Sequence, residues 1–580
     1  MVEALAGQAI ALAVSLEAPA VQGDDVSRRT ADGRLYGTRE GSVRYATRET
    51  VLLEATAAAR AAERVPGLSS NPALVSVFAG LSVDQVAAMR TLVGSDCRAT
   101  TLLAPAGAGK TTSLRVAREV WESDGRTVRA IAPTGKAASG LVDEGAAASA
   151  DTIATVLGRV RRGETPGWGE GDVVVVDEAG MVGSLTLATL LEQAQRAGAQ
   201  LVLVGDPEQL QPVGEAAGLF ELLADDLPDT ARLGEVWRQH DPEERAATLG
   251  LRGDATEREQ QQAVGWYRDH GRVMASDVTT VLEDVTAAWK QSVDEGNEAV
   301  MFAPTWNTAD ALAAAAQAHQ LARGRVDHRR TIPLGDINDY GQRRGTGRVA
   351  GVGDLVMTRA NDYTLRTSTG GVVRNGQTWT VTRINGDTAR VTLTRTGPTG
   401  EAAIVPASYL ADHARLAYGI SLHQAQGVTV DTGFSILDGS TSGQNDAYTA
   451  LTRGRVTNKV FIAAAAPDAG VDPDHGPAPQ PFRADRYEAA DLLDDIINRA
   501  RRDRAAHHVL GDAISEGRRN QEQRYDPATV DEFQQAGMFT SAAIAARERD
   551  YIRSLARTRP RHPHQPAPYS RPDQGHGIGR

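Results

Sequence analysis

Cysteine and aromatic residues are scarce in this sequence of 580 residues: Cys97 stands alone, and Phe, Trp and Tyr together make up 5%. A lone thiol excludes an internal disulfide framework and any zinc site built from several cysteines. A cytoplasmic setting follows most simply. Long apolar runs are missing too, so no membrane insertion is expected. The opening MVEALAGQAIALAVSLEAPA carries Glu3 and Glu17 and has no basic start, and does not read as a secretory leader. Nor is positive charge in excess: 62 Lys and Arg against 74 Asp and Glu leave a formal charge of −12. That argues against a basic coat for duplex nucleic acid, but leaves open a contact confined to an internal groove. What the chain does have is length for three or four domains and 41% apolar residues, enough for ordinary globular cores.

Residues 1–80 are Ala-rich and read as a helical N-terminal region, with breaks at Gln22-Gly23-Asp24 and Ala31-Asp32-Gly33. From about residue 81 short β-branched runs alternate with helical stretches, the pattern of a parallel sheet with crossover helices. Ala99–Leu103, Asp172–Val176 and Leu201–Val204 are the clear runs of a first α/β domain, 81–229. A second, 230–465, contains Ala299–Ala303 and closes on VFIAAA. Within it, GDLVMTR, QTWTVTRI and ARVTLTR alternate around glycine turns and predict a small antiparallel β insertion at about 350–410. Residues 466–580 read as a Pro/Gly/Asp linker, charged helices and a disordered tail. The Arg-rich stretch Arg499–Arg504 reads most simply as a solvated face.

TTLLAPAGAGKTTSLRVA runs strand, glycine-rich loop, helix. Gly107, Ala108 and Gly109 let backbone N–H groups turn around phosphate oxygens, with Thr112 opening the helix beyond. Lys110 can reach the β and γ phosphates, and the Thr111 hydroxyl can sit on Mg²⁺. Ala104 stands where the strict motif has its first glycine. Further on, VVVVDEAGM ends a buried strand in two carboxylates. Asp177 is the candidate Mg²⁺ ligand and Glu178 the group that polarises the attacking water. The two segments together specify ATP hydrolysis with ATP and Mg²⁺ as cofactors.

LVLVGDPEQLQPVG then sets Asp206 and Gln209 just past another apolar strand, where a polar group can sense the γ-phosphate. Its GD-x-x-Q-L-x-P pattern resembles superfamily 1 helicases, and further segments similar to that family follow in order from residue 81 to 465. Gln85 resembles the glutamine that reads adenine. APTGKAA, with Thr134 and Lys136, resembles a strand-contacting motif. LGEVWRQ and AYTALTRGR supply Arg238 and Arg453 where the family has arginine fingers, and AYGISLHQAQGVTVD resembles the fifth motif, with His423, Gln426 and Gly427 matching. The resemblance implies two RecA-like P-loop domains, a small SH3-like β insertion in the second, and catalysis by Lys110, Asp177, Glu178, Gln209, Arg238 and Arg453. Gln426 and Gly427 join the nucleotide contacts on the same basis. Thr134, Lys136, Thr305, Trp306, Tyr418 and His423 become candidates for contact with single-stranded DNA. For Trp306, packing in the second domain's core is an equal alternative.

The β insertion and the H-x-x-Q-G form of the fifth motif are similar to the RecD-like, 5′→3′ branch, and the whole is similar to the motor region of conjugative relaxases of the TraA, TrwC or MobF type. Gln424 and Ala154 depart from that pattern, where relatives carry Lys and His. A relaxase nicks with tyrosine and a three-histidine cluster; His562 and His564 lie in a Pro-rich stretch and the other histidines are scattered. The expectation is therefore a motor without nicking activity, partnered by single-stranded DNA and working beside a separate relaxase or nickase and a conjugative coupling protein. A stand-alone RecD-like repair helicase, or a non-hydrolysing DNA-binding assembly subunit, are the alternatives.

Overall fold

The computed structural model describes residues 14–15, 45–77, 80–212, 214–337, 343–396, 400–464 and 482–499. Most of the expected helical N-terminal region, and all of the expected tail from residue 500 with His562 and His564, lie outside these. The N-terminal region contributes α1 (Arg48–Ala61), capped by the Thr47 hydroxyl. Its buried Ala57 and Ala61 join the core of the first α/β lobe.

That lobe runs α2 (Val83–Gly94), β1 (Ala99–Leu103), α3 (Lys110–Ser123), β2 (Val128–Ala132), α4 (Gly135–Asp143), β3 (Ser149–Thr152), α5 (Ile153–Arg161), β4 (Val173–Val176), α6 (Ser184–Ala197), β5 (Gln200–Gly205), α7 (Leu219–Asp226) and β6 (Thr230–Arg232). The strands pair in the order β3-β2-β4-β5-β1-β6, every neighbour parallel. Both faces are covered, so its central strands are buried along almost their whole length rather than on alternate residues, and β4 is apolar throughout. Along β4, Val174 and Val176 pack with Leu187, Leu190 and Leu191 of α6. Val173 and Val175 point the other way, onto Leu114, Val120 and Trp121 of α3.

The second lobe contributes α8 (Pro242–Gly250), α9 (Glu257–Asp269), β7 (Val273–Ser276), α10 (Val278–Asp294), β8 (Ala299–Ala303) and α11 (Trp306–Ala322) before a β-rich excursion. The excursion starts earlier than the sequence pattern suggests, with a long antiparallel hairpin of β9 (Asp327–Ile337) and β10 (Arg343–Val352). It continues as β11 (Leu355–Thr358), β12 (Asp362–Arg366), β13 (Val372–Val373), β14 (Thr378–Asn385), β15 (Arg390–Arg395), β16 (Ala402–Pro406), α12 (Ala407–His413) and β17 (Ala414–Leu416). Five of these strands form an antiparallel sheet, β16-β15-β14-β11-β17. The lobe resumes with β18 (Gly419–Ser421), β19 (Val430–Asp438), α13 (Gln444–Ala450), β20 (Gly454–Ala463) and α14 (Arg486–Asn498). Its sheet, β18-β8-β19-β20-β7, is again wholly parallel. Arg499 is not on a solvated face: its guanidinium donates to the carbonyls of Ser442 at 2.7 Å and Gly439 at 3.0 Å, tying the end of α14 to the turn before α13.

No helix among the described residues is long and apolar enough to cross a membrane.

Candidate nucleotide cleft and interlobe site

Chain leaving β1 enters the loop 104–109. Ala104 extends the β ladder through its N–H to the Gly205 carbonyl at 3.0 Å and is not among the residues with positive φ, so the position does not demand glycine. Gly107 and Gly109 do: their φ angles are 82° and 76°, where L side chains are strained. A Cβ on Gly107 would lie 2.4 Å from the Arg238 Cβ, and one on Gly109 2.6 Å from the Gln85 Nε2. Gln85 supports the loop from outside. Its Oε1 accepts from Ser82 N as part of the α2 capping box, its Nε2 donates to the Ala108 carbonyl at 3.3 Å, and it is not among the residues lining the cleft. The direct adenine contact that resemblance implied for Gln85 is thus replaced by a brace on the loop.

Lys110, Thr111 and Thr112 open α3 and face a cleft of about 680 Å³. That volume is ample for a nucleoside triphosphate. Across from them, Asp177 and Glu178 follow β4, and Lys110 Nζ stands 3.7 Å from Glu178 Oε1. Glu178 has φ 51°, in the left-handed region, a conformation that costs a non-glycine residue about 1–3 kcal/mol and turns its carboxylate off the strand into the cleft. Burial pushes the Asp177 carboxyl up to about 6, against the opposing pull of the Lys110 ammonium. Burial would by itself lower Lys110, but Glu178, Asp177 and Asp206 outweigh it and raise it. An ammonium held charged beside two carboxylates at the carboxyl edge of a parallel sheet fits a phosphate–metal pair.

The second lobe and the segment that leads into it supply the far wall, and β6 (Thr230–Arg232) carries the first lobe past the expected boundary at 229. Arg238, Arg453, Arg455, Gln426 and Gly427 line the same cleft as Lys110, Asp177, Glu178 and Gln209. Arg238 donates to the Thr452 carbonyl at 2.8 Å. Arg453 is 1% exposed, its guanidinium bonded to Thr449 O, Ala425 O and Thr452 Oγ1. Burial lowers both arginines, and the neighbouring Arg238 charge helps take Arg453 down to about 9. The Gln426 amide has both polar atoms buried without a partner, a donor and an acceptor in the wall of the cleft that no protein group satisfies.

Beside the cleft, the loop after β5 is latched to the second lobe. Asp206, nearly inaccessible, takes a salt bridge from Arg252 at 3.0 Å and a hydrogen bond from the Tyr448 hydroxyl at 3.0 Å. Asn445 Nδ2 donates to the Gln209 carbonyl at 2.7 Å.

The candidate strand contacts divide. Thr134, which caps α4, Lys136 and His423 meet in a small chamber with Gln424, Asn375 and Gly376, and the chamber shares Lys136, Glu178 and Gln426 with the nucleotide cleft. Tyr418 does not join them. At 2% exposure it is a core residue, donating to Asp354 at 2.9 Å and packing edge-on to Trp289; a strand cannot reach it. Thr305 is exposed and caps α11. Trp306 is partly buried, its ring covered by the guanidiniums of Arg359 and Arg415 at 4.5 and 4.8 Å. Ala154 is exposed on the first turn of α5.

Several cleft residues were not foreseen, Trp237 and Arg395 among them. Trp237, adjacent to Arg238, is 56% exposed at the cleft, with its backbone N–H on the Gly107 carbonyl at 2.8 Å. An open aromatic face there is suited to stacking on a base. Its neighbour in the quoted WRQ segment was the only available signal. Arg395 reaches the cleft from β15 of the antiparallel module, held by Glu401 at 2.9 Å; nothing in its local sequence marks it.

The sequence matches the AAA domain family over residues 80–278 and the Rv2311 SH3-like barrel domain family over residues 343–415. It is 31% identical over 441 residues to a probable conjugal transfer protein TraA of Sinorhizobium fredii, an alignment covering 73% of this chain and 36% of that protein. Over 181 residues it is 36% identical to the ATP-dependent RecD2 DNA helicase of Deinococcus radiodurans, covering 30% of this chain and 24% of that protein. A solved Pif1 helicase from Bacteroides, in complex with ADP-AlF3 and single-stranded DNA, aligns over 67% of this chain and 93% of its own at 18% identity, with a TM-score of 0.44. The chain spans 36% of the length of the TraA relative.

Proposed function

We propose that this chain is an ATP-hydrolysing DNA helicase, like the RecD-like and TraA-type proteins it is similar to, and that it moves along single-stranded DNA 5′→3′ as the motor of a conjugative transfer system. The observation that carries the reading is the two-sided cleft, with Lys110, Asp177 and Glu178 on one lobe, Arg453 on the other, and Arg238 on the segment between them, its guanidinium on the Thr452 carbonyl of the second. Lys110 binds the terminal phosphates, and the loop N–H groups of Gly107 and Gly109 orient them. Thr111 and Asp177 are the residues that would hold Mg²⁺, which when bound neutralises phosphate charge. Glu178 orients water for attack on the γ-phosphorus and takes its proton; Gln209, one turn from Asp206, is placed to register the γ-phosphate. Arg238 and Arg453 stabilise the charge that builds on the transferring phosphoryl. Because Arg453 belongs to the lobe opposite the phosphate loop, hydrolysis is tied to lobe closure, and closure to stepping.

The same groups speak against a non-hydrolysing assembly subunit, since a pocket kept only for contacts has no use for a strained glutamate facing a lysine. Relatives named for conjugal transfer favour the conjugative setting over a stand-alone repair role, with a separate nicking component and a coupling protein as partners.

Turnover of ATP with and without single-stranded DNA tests the motor. The strand is expected to raise turnover about tenfold or more, and Lys110→Ala to reduce it by about 100-fold or more. Equal turnover in the two conditions overturns the strand motor. Unwinding of 5′-tailed against 3′-tailed duplexes decides polarity.

A further inference from the structure

The arginine-bearing turn of the second lobe presents a physical difficulty. Arg238 and Arg453 are brought together by the bond from Arg238 to the Thr452 carbonyl, and their like charges repel in a buried setting. Something must hold the turn in place before a triphosphate arrives.

A hydrogen-bonded relay meets that need. Asn458, fully buried in β20, closes the turn on itself: its Oδ1 accepts from Gly454 N at 2.6 Å and its Nδ2 donates to Gly454 O at 3.1 Å. The fit excludes any side chain at 454, where a Cβ would stand 2.2 Å from the Thr457 carbonyl. Asn458 is in turn gripped by Glu244. Both Asn458 N and Nδ2 donate to Glu244 Oε1, at 3.1 and 2.9 Å. Glu244 lies in the first turn of α8, a few residues after Arg238, and His240 between them donates its N–H to the Arg455 carbonyl at 2.8 Å. One carboxylate therefore ties the start of α8 to the strand end that carries Arg453.

Stability alone does not account for that carboxylate. Glu244 is 0% exposed and its Oε2 has no hydrogen-bond partner. Burial raises its pKa against the bonds from Asn458 and the charge of Arg272. A buried carboxylate with one oxygen left unpaired is itself a cost to folding. We infer that Glu244 is a positioning residue for ATP hydrolysis: acting through Asn458 and Gly454, it holds Arg453 and Arg238 together at the far wall of the cleft.

The inference rests on the reading that these arginines act on the nucleotide's terminal phosphate, and a double-mutant cycle in the full chain separates the two. Glu244→Leu is expected to lower kcat about 10- to 100-fold with KM for ATP and binding of a fluorescent ADP analogue little changed, and to lower Tm because both Asn458 donors lose their acceptor. Glu244→Gln, which keeps an acceptor oxygen for Asn458, is expected to restore most of kcat. In an Arg453→Ala background, Glu244→Leu should add no further loss, because the group it positions is gone. Losses that multiply in the double variant, or a Glu244→Leu enzyme at wild-type kcat, overturn the relay. So does a fall in ADP binding that parallels the fall in kcat. Should Glu244→Leu not fold, Asn458→Ala carries the same cycle. An Arg453→Ala enzyme with wild-type turnover overturns the arginine reading itself, and the relay with it.

Discussion

Trp237 is a large aromatic left open to solvent at the mouth of a charged cleft, although most aromatics among the described residues are spent in cores. Its backbone is pinned to the phosphate loop, so the ring is held while its face stays free. Trp237→Ala is expected to raise KM for ATP about fivefold or more while kcat stays within about twofold, since stacking on a base is worth about 1–3 kcal/mol and touches no reacting atom. Steady-state ATP kinetics decide it, and an unchanged KM removes Trp237 from the site. The residues that sequence could read are those whose chemistry is written in contiguous text. Gly107 to Thr111 and Asp177-Glu178 need only their neighbours to define a phosphate loop and a strand-end acid pair. Trp237, Arg395 and Glu244 matter through contacts across 100 residues or more of chain, with Gly107, Lys136 and Asn458, and a local pattern holds no trace of them. Tyr418 failed in the opposite sense: its segment resembled a strand-binding motif, but the hydroxyl satisfies Asp354 inside the lobe.

At the scale of elements, the parallel strands Val173–Val176 and Ala299–Ala303 announce themselves because burial on both faces favours unbroken apolar runs, and Ala99–Leu103 does so through β-branched threonines beside its leucines. The edge strand β3, Ser149–Thr152, has only one strand neighbour and reads as a polar turn. The hairpin β9–β10 is rich in charge along Asp327–Arg330, which conceals its strand character. Helix α10 shows how a single capping residue serves tertiary structure. Asp277 accepts from Thr279 N at 3.0 Å and Thr280 N at 3.1 Å, from the Thr280 hydroxyl, and from Phe482 N at 3.0 Å on the segment leading into α14. The Thr280 hydroxyl and then its N–H are the largest causes that hold this carboxyl down at about 2. A folded-state pKa below the unfolded one stabilises the fold above the unfolded value and loses that contribution as pH falls through the folded one. Asp277→Ala is therefore expected to lower Tm by a constant amount above about pH 5, a deficit that shrinks below about pH 4. Thermal melts of both proteins across that range check it; a deficit independent of pH refutes the carboxylate's role.

At the scale of the whole molecule, the two lobes share a buried ion pair. Arg252 and Asp206 face each other with Tyr448 bonded to the same carboxylate and the Arg252 guanidinium over its ring at 5.4 Å. Arg252→Ala leaves Asp206 buried without its cation, a change expected to cost about 3–5 kcal/mol. Because Asp206 borders the loop bearing Gln209, the same change is expected to reduce the stimulation of turnover by DNA more than the basal rate. Urea unfolding and ATPase assays measure the two effects, and a variant with normal stability and normal stimulation disproves the latch.

The antiparallel module gives the molecule a third point of support. It grows from the second lobe, yet Arg374 and Asn361 of the module rest against Gly135 at the start of α4 in the first, near enough that a Cβ there would meet them at 3.2–3.3 Å. Lobes joined only by a linker could swing apart to any angle. Here the module works as a doorstop propped against the opposite jamb: widening the gap has to break that touch.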